Sequence, residues 1–225
     1  MSSYLFRYGF SKNKQMRYVI SIKGGIDLEM PMGNINNPIS MEMRISQKIV
    51  SFDTEQAMIK VIIDRVTADR NIPTESLPKT GVESVMQMDS LGTVRWVDGA
   101  AAWQGAEHSM MRFPEQSLEV GESWVQPVED ASGAASAFHT RYCFAGLDEE
   151  KECLMIFSTE LFSGHPDDPA SQLVGRGVFT FDREEKWIHG CSNHIEYKYR
   201  MAMPDNSGDF FTTSTTLQIE MERLP

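Results

Sequence analysis

The chain has 225 residues, 41% hydrophobic and 24% charged, a balance that supports a sizeable buried core and argues against a disordered chain. Its formal net charge of −11, with no run of Lys and Arg to interrupt it, makes nucleic acid an unfavourable partner. The longest aliphatic stretch, Val61-Ile62-Ile63, is far short of the roughly 20 apolar residues that a spanning helix needs, so no transmembrane segment is expected.

The start, Met1-Ser2-Ser3-Tyr4-Leu5-Phe6-Arg7, has neither a basic-then-apolar leader nor a lipidation cysteine. Location is therefore cytoplasmic if the sequence is full length, and exported or periplasmic if a leader has been removed. Gln15 to Ile22 is rich in β-branched and aromatic residues and reads as a strand. Gly24-Gly25 suggests a bulge or bend before Ile26-Asp27-Leu28-Glu29-Met30, where apolar and acidic residues alternate. Met41 to Ser46 repeats the alternation, and a turn at Asp53-Thr54 leads to Ala57–Val66. That segment fits a helix carrying Met58, Ile62 and Val66 on one face, or a strand; its Ile and Val content favours the strand. Asp69 to Val82, with Pro73, Pro78 and Gly81, reads as a loop.

The segment from Gly99 to Met111 has the alanine content of a short connecting helix, with Trp103, Ala106 and Met110 on one face, ended by Phe113-Pro114. Val120-Gly121-Glu122-Ser123-Trp124 opens a second set of strands: Ala137–Phe144, Cys153–Phe162, Leu173–Phe181, Trp187–Met201 and Phe210–Glu222. Gly164 to Pro169 is a turn-rich loop. The two sets correspond. Phe52-Asp53 and the run after it lie on Leu147-Asp148 and its run with an offset of 95; Met88-Asp89 to Trp96 lies on Phe181-Asp182 to Trp187 with offsets of 93 and 91. The second of those turns is thereby expected to be shorter than the first. One domain over 1–225 is expected, with a pseudo-repeat at 4–99, a connector at 100–117 and a second pseudo-repeat at 118–225. The fold class is all-β: an open or flattened antiparallel barrel of two related halves with one short connecting helix.

Long twisted strands, a single helix-like connector and the motif Val120-Gly121-Glu122-Ser123-Trp124 resemble a group of poorly characterised bacterial β proteins with the lipoprotein-carrier type of open β-barrel (LolA/LppX-like). The resemblance implies an often exported protein whose concave face holds acyl chains.

Chemistry-bearing residues are sparse. None of the five histidines, His108, His139, His165, His189 and His194, sits in a nucleophile, metalloprotease or phosphate-loop motif. Asp89 and Asp182 hold equivalent positions where a carboxylate shapes a turn; a paired-carboxylate site is the alternative. His139, Cys143, His189 and Cys191 approach zinc geometry only if their strands are neighbours; otherwise they are ordinary satisfied side chains. The three cysteines make no disulfide framework, although a hairpin centred on Asp148 sets Cys143 opposite Cys153; otherwise both are buried free thiols. No catalytic residue, metal or cofactor is called.

Methionine is the unusual signal: fifteen residues, with Met-x-Met at Met30/Met32, Met41/Met43, Met86/Met88 and Met201/Met203. A hairpin centred between Asn36 and Asn37 sets Met30 against Met43 and Met32 against Met41, four thioethers on one face. Such residues fill a core, line an adaptable apolar cavity or partner surface, or bind Cu(I). The reading that follows is non-catalytic binding of an apolar small molecule or acyl chain on a concave sheet face, lined by Met30, Met32, Met41, Met43, Trp103 and Met110. The alternative is a protein-interaction module using an exposed sheet face or edge.

Overall fold

A computed structural model describes residues 2–30, 33–98, 110–129, 135–163, 171–202 and 210–225. Eleven strands form one sheet: β1 (Gln15–Met30), β2 (Gly33–Phe52), β3 (Gln56–Ala68), β4 (Glu83–Asp89), β5 (Val94–Asp98), β6 (Ser123–Glu129), β7 (Ala135–Leu147), β8 (Leu154–Ser163), β9 (Ser171–Asp182), β10 (Trp187–Ala202) and β11 (Phe210–Leu224). Their order across the sheet is β5-β4-β3-β2-β1-β11-β10-β9-β8-β7-β6, antiparallel throughout, with β5 and β6 as its edges. The sheet is open. Two meanders meet at the β1–β11 seam.

Period-two alternation explains the strands. In β1, Met16, Tyr18 and Ile20 are buried while Arg17 and Lys23 are exposed. Ala57–Val66 lies within β3, where Ala57, Ile59 and Ile63 are buried on one face, so its β-branched residues do form a strand. The loop after β3 holds one 3-10 turn, Thr74–Ser76. Of the region read as a connecting helix, Gly99 to Met111, residues 99–109 with Trp103 lie outside the described residues, and Met110 and Met111 are not helical.

The Gly24-Gly25 bulge does not occur, because β1 pairs with β2 without a register break from Gln15↔Lys48 to Met30↔Gly33. Gly24 serves the seam instead. A Cβ there would lie 1.8 Å from the Thr216 carbonyl oxygen.

The aspartate turns form as local hydrogen-bonded caps. Asp53 Oδ1 accepts from the backbone N–H groups of Glu55 and Gln56, Asp148 Oδ1 from Glu150 and Lys151, Asp182 Oδ1 from Glu184 and Glu185, and Asp89 Oδ1 from Leu91 and Thr93. The turns keep their aspartates and not their lengths. The β2–β3 ladder closes at Phe52↔Ala57, whereas the β7–β8 ladder closes at Leu147↔Met155. The β9–β10 ladder closes at Asp182↔Trp187, whereas Asp89 N–H already meets the Thr93 carbonyl, so the second turn is longer than the first, the reverse of the expectation.

One end of the inner face is filled by the chain itself. Residues 4–10 and 110–118 run over it, joined by reciprocal Tyr4–Leu118 backbone hydrogen bonds of 2.9 and 2.8 Å. Tyr8 N–H bonds to the Ser90 carbonyl in the β4–β5 turn, and Gly9 N–H bonds to the Lys186 carbonyl in the β9–β10 turn. Adjacent residues thus tie the two wings of the sheet together. Around this plug, Phe6, Tyr8 and Phe113 pack against Phe144, Phe157, Phe181 and Trp187, with ring centroids 5.0–5.8 Å apart. Ile59 and Met88 from the other wing join the same cluster.

Candidate functional site: the distal concave face

The face that meets the plug continues beyond it along the strands. Successive side chains on a strand alternate between faces, so the buried residues Met16, Tyr18 and Ile20 of β1 fix the inner side, and Ile22, Ile26, Leu28 and Met30 follow on it. Through the ladder, Ile22 faces Met41, Gly24 faces Ile39 and Leu28 faces Ile35 on β2. On β11, Ile219 stands opposite Ile22 and Leu217 opposite Gly24. On β10, Ile195 and Tyr197 face Leu217 and Thr215. Gly175 of β9 lies beside Ile195, and a Cβ there would meet Leu161 of β8 at 2.9 Å.

From Ile20 to Met30 this face extends about 33 Å at the usual rise per strand residue. Its side chains are half-buried or exposed rather than closed in: Ile22, Ile26, Leu28 and Met30 are intermediate, and Ile35 is 45% exposed. The charged residues of the same strands project to the outer side. They are Lys23, Asp27 and Glu29 on β1, Glu42 and Arg44 on β2, and Glu196, Lys198 and Glu220 on β10 and β11.

The predicted methionine cluster is not formed. Met30 pairs with Gly33, and Asn36 and Asn37 lie inside the ladder opposite Asp27 and Ile26, so the hairpin is not centred between them. Met43 then stands opposite Ile20 and Met41 opposite Ile22, some ten residues from Met30 along the strand. Met30, Met41 and Met43 do share the inner face; Met32 lies outside the described residues. Met110 is buried in the plug, beside Met111, and does not line the distal face. Met16, Met43, Met86, Met88 and Met155 are also buried, which is core filling.

The residues weighed for metal chemistry are apart. His139 and Cys143 are on β7, and His189 and Cys191 on β10, with β8 and β9 between them, about 14 Å at the usual strand spacing. Cys143 faces Ser158 rather than Cys153, which lies in the turn before β8, and all three cysteines are free. Burial pushes the Cys191 thiol up to about 11, and burial likewise raises the hydroxyls of Tyr8, Tyr18 and Tyr142. Those tyrosines are structural: Tyr8 donates to the Met111 carbonyl at 2.8 Å and Tyr18 to the Ile188 carbonyl at 2.9 Å.

A polar groove of about 570 Å³ lies at the plugged end, lined by Gln15, Arg17, Asp182, Glu185, His189 and Arg223, and contains none of the residues predicted to line the ligand site. The residues that sequence reading passed over are the aliphatic ones of β1, β2, β10 and β11. Their signal was present as strict alternation in residues 26–30 and again in 195–199, but alternation shows a sheet face without showing whether anything covers it.

No family model matches the chain, and no curated protein matches it. Among solved structures it is similar to one of lipovitellin concerned with lipid–protein interactions, at a TM-score of 0.57 and 12% identity. The likeness is one of fold. It covers 96% of this chain and 26% of the other, so the chain spans about a quarter of that protein's length. Among the described residues, no helix is long and apolar enough to cross a membrane.

Proposed function

We propose that the protein binds an apolar small molecule carrying an acyl chain on its distal concave face, without catalysing a reaction on it. One observation carries this reading. An aliphatic surface from five adjoining strands continues past the plug while every charge on β1 and β2 there faces outward. A sheet face of that size normally lies against another layer, since leaving it in water forfeits about 25 cal/mol for each Å². An acyl chain supplies such a layer, worth about 0.8 kcal/mol for each methylene buried. The fold likeness to lipovitellin and the resemblance to lipoprotein carriers agree with it.

The aliphatic face also defines what the site lacks. Its inward residues on β1, Ile22, Ile26, Leu28 and Met30, offer neither nucleophile nor acid–base pair. The predicted lining is revised accordingly: Met30 and Met41 stay, Met43 belongs to the buried core, and Ile26, Leu28, Ile195 and Leu217 join the lining.

The test uses a polarity-sensitive fluorescent fatty acyl probe titrated into delipidated protein. A saturable rise in emission that Leu28→Glu abolishes, with the circular dichroism of the variant unchanged, supports the proposal. No saturable rise, together with self-association through the same face, would move the assignment to protein–protein interaction.

A further inference from the structure

Resting on that reading, we infer that the ligand is an electrically neutral lipid with an ester or hydroxyl head, such as an acylglycerol, rather than a free fatty acid or phospholipid. A site for an anionic lipid has to neutralise a carboxylate or phosphate, and an unpaired ion brought out of water costs several kcal/mol. Carboxylate and phosphate recognition accordingly relies on guanidinium or ammonium groups. Among the described residues none is available on this face. Beyond Ile20, the described inward residues of β1, β2, β10 and β11 include no Lys, Arg or His. Lys23, Arg44, His194 and Lys198 all alternate to the outer side. Arg223 has inward parity but sits at the plugged end, 3.6 Å from Glu185.

What the inner face does offer is hydroxyl groups at one level. Tyr197 and Tyr199 follow one another on β10 with rings stacked at 6.3 Å, and their ladder partners on β11 are Thr215 and Thr213. Tyrosine and threonine hydroxyls both donate and accept, which suits an ester carbonyl or an alcohol and gives no net charge to balance an anion. The aliphatic run of Ile195, Leu217 and Ile219 adjoins this band on the side of the plug, where the chains would lie. The net charge of −11 adds a field that disfavours anions at the mouth.

The experiment equilibrates delipidated protein with neutral carrier vesicles holding equal amounts of diolein and dioleoyl phosphatidic acid, two lipids with the same chains and different heads. The protein is re-isolated and its bound lipid quantified. The inference predicts at least tenfold more diolein than phosphatidic acid on the protein, and a several-fold loss of diolein uptake in the double variant Tyr199→Phe, Thr213→Val. Equal uptake, or preference for phosphatidic acid, overturns the neutral-lipid assignment while leaving lipid binding intact. Unchanged diolein uptake by the double variant overturns the hydroxyl contact. Uptake of neither lipid overturns the binding reading and this inference with it.

Discussion

Tyr8 and Met111, 103 residues apart in sequence, are joined inside the core where the Tyr8 hydroxyl donates to the Met111 carbonyl at 2.8 Å. Both residues are buried, and the bond ties the two plug segments to each other under the curve of the sheet. Tyr8→Phe keeps the ring and removes the donor, leaving a buried carbonyl without its partner, at a cost of about 1–3 kcal/mol. Phe6→Ala removes a ring that packs on Phe113, Phe144 and Phe157 and should cost about 3–5 kcal/mol. Urea unfolding checks both: the midpoints fall in that order, and a midpoint for Phe6→Ala equal to wild type would contradict the plug's role.

The seam between the meanders depends on Gly24. Gly24→Ala places a methyl group 1.8 Å from the Thr216 carbonyl oxygen, so β1 and β11 must part there. Gly25→Ala meets nothing nearer than 3.5 Å. Amide hydrogen exchange should show faster exchange along residues 20–28 and 213–221 in the first variant and near wild-type protection in the second.

Asp53 gives a pH signature. Backbone N–H bonds from Glu55 and then Gln56 hold its carboxyl below the ordinary value of 3.8. A depressed folded pKa means the stabilisation is fully present above the unfolded value and is lost as pH falls through the folded one. Asp53→Asn should therefore be less stable than wild type at pH 6, with the gap closing as pH drops below about 3.8. A gap independent of pH would show that the carboxylate charge contributes nothing.

Thiol reactivity should separate the cysteines. Burial raises the Cys191 thiol to about 11, leaving very little thiolate near neutral pH. Mass-spectrometric mapping after brief iodoacetamide treatment at pH 8 should find Cys191 the slowest of the three to be modified, with its protection lost in denaturant. Fast native labelling of Cys191 would contradict its placement.

Much of the architecture was legible because strand formation is a local matter of alternation and β-branching. Ala57–Val66 and the aspartate turns are examples: each depends on residues within a few positions of itself. Register was less legible. The β1–β2 hairpin carries a polar, turn-compatible stretch at Asn34–Asn37, and only pairing over the whole strand length shows that it lies inside β2. The plug was not legible at all. Tyr4, Phe6, Tyr8 and Phe10 alternate like a strand, yet they meet their partners through residues more than a hundred positions away. The candidate site shares that difficulty, since its lining comes from five strands drawn from both ends of the chain.

Native mass spectrometry of the protein purified from its own host, compared across three forms, tests the central claim most directly. Wild type should carry a stoichiometric lipid adduct; Ile26→Glu, on the inner face, should lose it; Val178→Glu, at a 40% exposed position of the outer face, should keep it. A wild-type mass free of lipid that also takes up none from a lipid extract, or an adduct equally abundant in Ile26→Glu, would contradict binding on the distal concave face.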